Sequence, residues 1–231
     1  MSRDDKRALA IMEESLKKVN RHYQVALPWK NNSPNLPQNR EMAERRLKGL
    51  QKKLLASPAL CKQYREKMSD YVENGYASVV PVDAPAVRGK IFYIPHFCTS
   101  VLTKFRVVFD CSAMFDGVLL NDELLQGPDL VTGLLGDLIR FRQEAIAVVG
   151  DIKSCFHQVF VDENDRDAFR FLWFPNNDLE QPPADYKMNV HIFGATSSPS
   201  IAAFALRRTA LDNETGAGLA TVETAQKHIC G

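Results

Sequence analysis

One acid in this chain is set where metal-assisted chemistry would need it. Asp151 closes the stretch AIAVVGD at 145–151, an apolar run ended by Gly150. Such a run is short for a helix and long enough for a buried strand. A carboxylate at the tip of a buried strand suits a hard divalent cation such as Mg²⁺, which takes oxygen ligands and shares them with phosphates. The same residue fits a plainer role, because an Asp after a strand is often the N-cap of the next helix. Phe156 follows five positions later and either walls the same pocket or packs in the core.

The elements that must position these residues follow from periodicity. Helices are predicted over 3–20, 40–56, 59–74, 130–142 and 196–213. Pro28, Pro34 and Pro37 break the chain between the first two, and Gly75 stops the third. Ser197 or Ser198 caps the last, with Pro199 in its first turn. Strands are predicted over 91–94, 105–109, 145–149, 169–174 and 186–192, where aromatic and β-branched residues concentrate. PHFCTSVLTK at 95–104 reads as a turn region, and 111–129 as a loop punctuated by Gly117, Gly127 and Pro128. Helices first, then strands mixed with helices, imply an α+β fold rather than a βαβ repeat.

Composition narrows the function classes. The chain has 231 residues, 45% hydrophobic and 25% charged, enough for a sizeable core. No apolar run reaches the roughly 18 residues of a membrane span, and the N-terminus lacks the apolar stretch of a signal peptide. The five cysteines, Cys61, Cys98, Cys111, Cys155 and Cys230, form no CxxC pair and read as reduced thiols, so an intracellular, cytoplasmic protein is expected. No HExxH, P-loop, GxGxxG or GxSxG pattern occurs. The net charge of +1 conceals an uneven distribution. Residues 1–70 hold 16 Lys and Arg against 8 Asp and Glu, and residues 71–231 hold 13 against 20. A basic front suits a polyanion partner or is a solvated helix face.

Five fragments occur in one order: LPWK at 27–30, RVVFD at 106–110, LLNDELLQGPDL at 119–130, FRFLWF at 169–174 and FGATSSP at 193–199. With AVVGDIKSCFHQV between the third and fourth, they resemble the reverse transcriptase of BEL/Pao-type LTR retrotransposons. The match runs from about residue 22 to the C-terminus. It implies reverse-transcriptase fingers and a partial palm, an incomplete antiparallel sheet with packed helices. It divides the chain into a basic helical region with a Pro-rich connector at 1–75 and the fingers and partial palm at 76–231.

The resemblance also implies roles. Asp151 matches the first catalytic aspartate of a polymerase that joins nucleotides by two-metal chemistry, with Mg²⁺ as the ion. Ile152 would add a backbone carbonyl to the metal. Phe156 stands where a bulky residue excludes the ribose 2′-hydroxyl. Arg106 matches the fingers arginine over the incoming triphosphate, a use that suits a guanidinium fork. Lys104 shares its strand face, although both are equally exposed positions of a period-2 strand. Phe193 and Gly194 match the loop at the nascent base pair. Many retroviral relatives have Gln before that glycine, so Phe193 departs from them and agrees with the BEL/Pao pattern. Arg207 and Arg208 either meet template phosphates or sit on a solvated helix end.

The implied partners are an RNA or DNA template-primer and a dNTP, with no membrane. The family's Tyr-x-Asp-Asp hairpin does not occur among the 231 residues, and by spacing it would begin near 228–231. Patterns for thumb, protease, ribonuclease H and integrase are likewise not found. The expectation is therefore a polymerase fragment that does not polymerise alone. The alternative is a non-catalytic, retroelement-derived module that binds nucleic acid or protein. Without the hairpin, an unpaired sheet edge is expected beside residues 145–149, and disorder after Asn213.

Overall fold

The computed structural model describes residues 1–31, 34–85, 87–101, 104–130, 142 and 150–213, with the backbone alone for Ser100, Val101 and Lys104. The expected strand at 145–149, nearly all of the helix at 130–142 and the stretch after Asn213 lie outside the described residues. Among the described residues the fold is α+β, built from three small sheets and helices packed against them. Among the described residues, no helix is long and apolar enough to cross a membrane.

Helix α1 spans Arg3–Ser15 and starts in a capping box. Ser2 Oγ accepts from the Asp5 amide at 3.0 Å, and the Asp5 carboxylate accepts from the Ser2 amide at 2.9 Å. The helix ends earlier than its apolar period suggests. Residues 17–19 instead form β1 (Lys17–Val19), paired antiparallel with β2 (His22–Val25). Asn20 and Arg21 both take positive φ, 49° and 69°, which makes a tight hairpin turn. Arg in place of the usual Gly hides that turn from the sequence.

Helices α2 (Arg40–Leu55) and α3 (Pro58–Glu73) match their predicted extents. Pro58 opens α3 at its first turn, and Gly75 follows its end at φ +71°. Tyr64, Met68 and Tyr71 form the buried stripe, whereas Val72 is exposed.

The predicted turn region at 95–104 is mostly strand, which corrects that reading. Strand β4 (His96–Val101) pairs with β5 (Lys104–Phe109), with His96 opposite Phe109 and Thr99 opposite Arg106. Cross-strand pairing stabilises a segment whose own Thr and Ser favour turns. Conversely, residues 91–94 form no ladder strand. Tyr93 makes a single bridge to Arg170, and the Phe92 and Ile94 amides donate to Asp167 and Arg170 carbonyls.

Strand β6 (Val159–Val161) lies parallel to β2, so the first and second halves of the chain share a sheet. Strand β3 (Ala77–Val79) and β7 (Arg170–Trp173) flank β8 (Ala184–Met188), both antiparallel. Two further helices are α4 (Leu120–Glu123), a single turn, and α5 (Ser198–Asp212).

The main core packs α2 and α3 over the β3-β8-β7 sheet and the β4-β5 hairpin, with Leu47, Leu54, Tyr64, Phe92, Phe109 and Phe171 inside. His96 is its polar centre. Its Nδ1 meets the Tyr64 hydroxyl and its Nε2 the Leu172 carbonyl; burial disfavours the charged ring and lowers its pKa to about 4, against the opposing pull of the Leu172 bond. A second cluster joins α1, β2, β6 and α5 through Met12, Val25, Val159 and Ile201.

Candidate functional site

Strand β5 supplies the cationic candidate. Its alternation buries Val107 and Phe109 and leaves Arg106 exposed. The Arg106 side chain makes no hydrogen bond or ion pair among the described residues. Lys104 stands near the open end of the same strand, opposite Val101.

At the other end of β5 the chain meets Gly194. This glycine sits at φ +121°, a conformation that side-chain-bearing residues rarely adopt. A Cβ there would overlap the Phe109 carbonyl oxygen and stand 3.5 Å from its carbon. Gly194 is thus required by a close approach of two backbones, one of them on the strand that carries Arg106.

Asn121, at the start of α4, locks that approach. Its amide group donates to the Gly194 carbonyl at 3.0 Å, and its side-chain oxygen accepts from the Thr196 amide at 2.9 Å. Its own backbone amide donates to the Cys111 carbonyl at 3.3 Å. Asn121 lies within LLNDELLQGPDL, where neither its type nor its spacing marks it. An Asn in a loop carries no signal of partners 73 and 75 residues away.

The aromatic candidates meet. Phe156 and Phe193 lie 5.9 Å apart between ring centroids, tilted by 34°. Phe156 is half-buried, whereas Phe193 is 62% exposed, so the pair offers a wall with one open ring. Phe156 belongs to a short 3-10 turn, Cys155–Gln158. Ser154 occupies the position before that turn, at φ 53°. Asp151 is therefore not its cap, which removes the plainer reading for that turn. Asp151 is exposed and has no hydrogen bond or ion pair among the described residues. Ile152 beside it is 40% exposed.

The remaining fragments are tied to the same region. Leu125 donates to the Pro28 carbonyl and Lys30 to the Glu123 carbonyl, each at 2.8 Å, so LPWK runs along LLNDELL. Asp165 holds LPWK from the other side, accepting from the Leu27 amide at 2.8 Å and the Trp29 indole at 2.9 Å. Gly127 packs against α5, where an added Cβ would lie 2.8 Å from Ser200 Cβ. Asp110, which ends RVVFD, pairs with Arg46 of α2 at 3.7 Å.

Arg207 and Arg208 are placed differently. Arg207 is half-buried and donates to the Leu130 carbonyl. Arg208 pairs with Asp212 at 2.8 Å, and Asp212 also accepts from the Tyr23 hydroxyl at 2.6 Å. Burial and the Asp212 carboxylate push the Tyr23 hydroxyl up to about 12. Both guanidinium groups thus have partners within the fold.

A two-metal centre needs several carboxylates in one cluster. Among the described residues, no group of three or more His, Cys, Asp or Glu is gathered to hold a metal. The donors at hand are the Asp151 carboxylate and the Ile152 carbonyl, which do not suffice for a pair of Mg²⁺ ions. No chemical step is therefore derived through a metal. What the described arrangement offers is a cation on an exposed strand face, an exposed aromatic ring and an unpaired carboxylate. In comparisons with known proteins, no family model and no curated protein matches the chain.

Proposed function

We propose that the chain is the fingers and part of the palm of an RNA-directed DNA polymerase of the BEL/Pao retrotransposon type. One observation supports this most. Fragments spread from residue 27 to residue 199 are linked by direct contacts: LPWK to LLNDELL, Asn121 to Gly194 and Thr196, Gly194 to the end of β5, and Phe193 to Phe156. Fragments matched by chance have no reason to assemble in this way. In this reading Arg106 and Lys104 face the triphosphate of a dNTP. Phe156 and Phe193 bed its sugar and base, and Gly194 gives its backbone room. Asp151 and Ile152 contribute part of a Mg²⁺ ligand set. The partners are a template-primer and the other enzymes of a retroelement polyprotein: protease, ribonuclease H and integrase.

The test uses a labelled RNA–DNA template-primer and dNTPs with the 231-residue chain. The chain is expected to bind template-primer, to lose dNTP binding with Arg106→Ala, and to extend no primer with Mg²⁺ or Mn²⁺. Failure to bind template-primer, or dNTP binding indifferent to Arg106→Ala, overturns the reading. Robust extension overturns the claim that the palm is partial.

The lone carboxylate favours a second reading, a non-catalytic module that binds nucleic acid or protein. It predicts that Asp151→Asn leaves template-primer binding unchanged or slightly stronger, because removing an anion relieves repulsion from phosphates.

A further inference from the structure

Helix α2 presents a face that neither the core nor the candidate site uses. Its apolar residues Met42, Ala43, Leu47, Leu50 and Leu54 are buried. Its outward side carries Arg45, Arg46, Lys48, Lys52 and Lys53, all exposed. At 3.6 residues per turn these five fall within about 160° of the helix surface, over roughly 12 Å of axis. The only carboxylates on the helix are Glu41 and Glu44, in its first two turns. Glu44 is shared by Arg40 at 3.6 Å and Lys48 at 3.8 Å. Arg45, Lys52 and Lys53 have no acidic partner among the described residues.

Gly49 lies in the middle of this face. Glycine is a poor helix former. Nothing stands within 4 Å of the place its Cβ would occupy, so packing does not call for it. A bare helix backbone inside a cationic arc does allow a ligand to come close.

We propose that the outward face of α2 binds the phosphate backbone of a nucleic-acid strand leading to the candidate site. Its length of roughly 12 Å matches three to four phosphates at about 3.4 Å per residue of one strand. Its position is continuous with the site. Arg46 reaches Asp110, the residue after β5, and β5 carries Arg106 and closes on Gly194. A lipid surface is the poorer fit, since the apolar side of α2 is in the core and leaves no face to insert. The choice of nucleic acid among polyanions rests on the function proposed above.

The experiment measures fluorescence polarisation of a labelled RNA–DNA template-primer with a single-stranded overhang, across a salt series. The triple variant R45Q/K52Q/K53Q is compared with wild type and with Arg106→Ala. Removing three phosphate contacts should flatten the slope of log K against log salt by about 2–3 and weaken binding tenfold or more at about 0.1 M salt. Gly49→Gln, which changes no charge, should weaken binding severalfold without lowering the thermal midpoint. Wild-type affinity and slope in the triple variant overturn the inference. If dNTP binding still depends on Arg106 in that case, the proposed function survives the loss. If the triple variant loses binding while Arg106→Ala leaves dNTP binding intact, the surface stands and the polymerase reading falls. Tighter, α2-dependent binding to phosphatidylserine vesicles than to nucleic acid also overturns the inference, in favour of a membrane.

Discussion

Gly194→Ala tests the junction on which the candidate site depends. The backbone there sits at φ +121°, well outside the region open to an alanine, and holding it costs about 1–3 kcal/mol. The new methyl would also overlap the Phe109 carbonyl oxygen. That oxygen cannot swing aside cheaply. Phe109 is buried, and its strand is held by the β4 ladder through His96. Forcing an extra carbon into packed surroundings adds about 1–3 kcal/mol. Together these effects give about 4 kcal/mol, a large share of the about 5–15 kcal/mol by which domains are stable. Urea unfolding followed by tryptophan fluorescence reads it as a fall in midpoint of about 1–2 M, with the slope unchanged. Gly75→Ala is the control. It shares a positive φ, +71°, but has open space around it, so left-handed strain alone, about 1–2 kcal/mol, should apply. If Gly194→Ala shifts the midpoint no more than Gly75→Ala does, the close approach to Phe109 is not what requires this glycine.

Two further outcomes are expected. Asn121→Ala removes the bonds to Gly194 and Thr196 and should cost about 1–3 kcal/mol, with faster amide exchange at Thr196; unchanged exchange there would count against its locking role. Acid should also destabilise the fold through buried histidines. His96, His157 and His191 each titrate at about 4 in the folded chain, mainly because burial disfavours the charged ring, against an ordinary value of 6.5. Between these values the unfolded chain binds more protons. Stability is therefore fullest above about 6.5 and falls toward pH 4, by about 1.4 kcal/mol per pH unit for each group. His157 meets Tyr71 edge to face and Tyr76 at a tilt, and its Nδ1 has no hydrogen-bond partner, so His157→Phe should keep the packing and remove one proton's share of that slope. An identical slope in His157→Phe, read from urea midpoints across pH, would refute the assignment.

Sequence alone determined the parts of this protein that depend on near neighbours. Helices α2 and α3 were legible because their apolar residues recur at helical spacing and Pro58 and Gly75 mark their limits. Strand β5 was legible because KFRVVF is rich in branched and aromatic residues. Asp151 and Phe156 stand out by their type and place around an apolar run, whereas Arg106 and Gly194 enter through the resemblance of their fragments. The β1-β2 turn was not visible, since Asn20-Arg21 lacks a glycine and its positive φ values are stabilised by pairing with β6 beyond it. Strand β4 resembles a turn in sequence because its ladder partner, not its own propensity, makes it a strand. Only tertiary structure showed why Gly194 must be glycine and what Asn121 holds. A propensity or a period reports on residues a few positions apart. The Phe109 carbonyl reaches Gly194, and Asn121 reaches Thr196 75 residues on, so long-range packing decides which backbones meet.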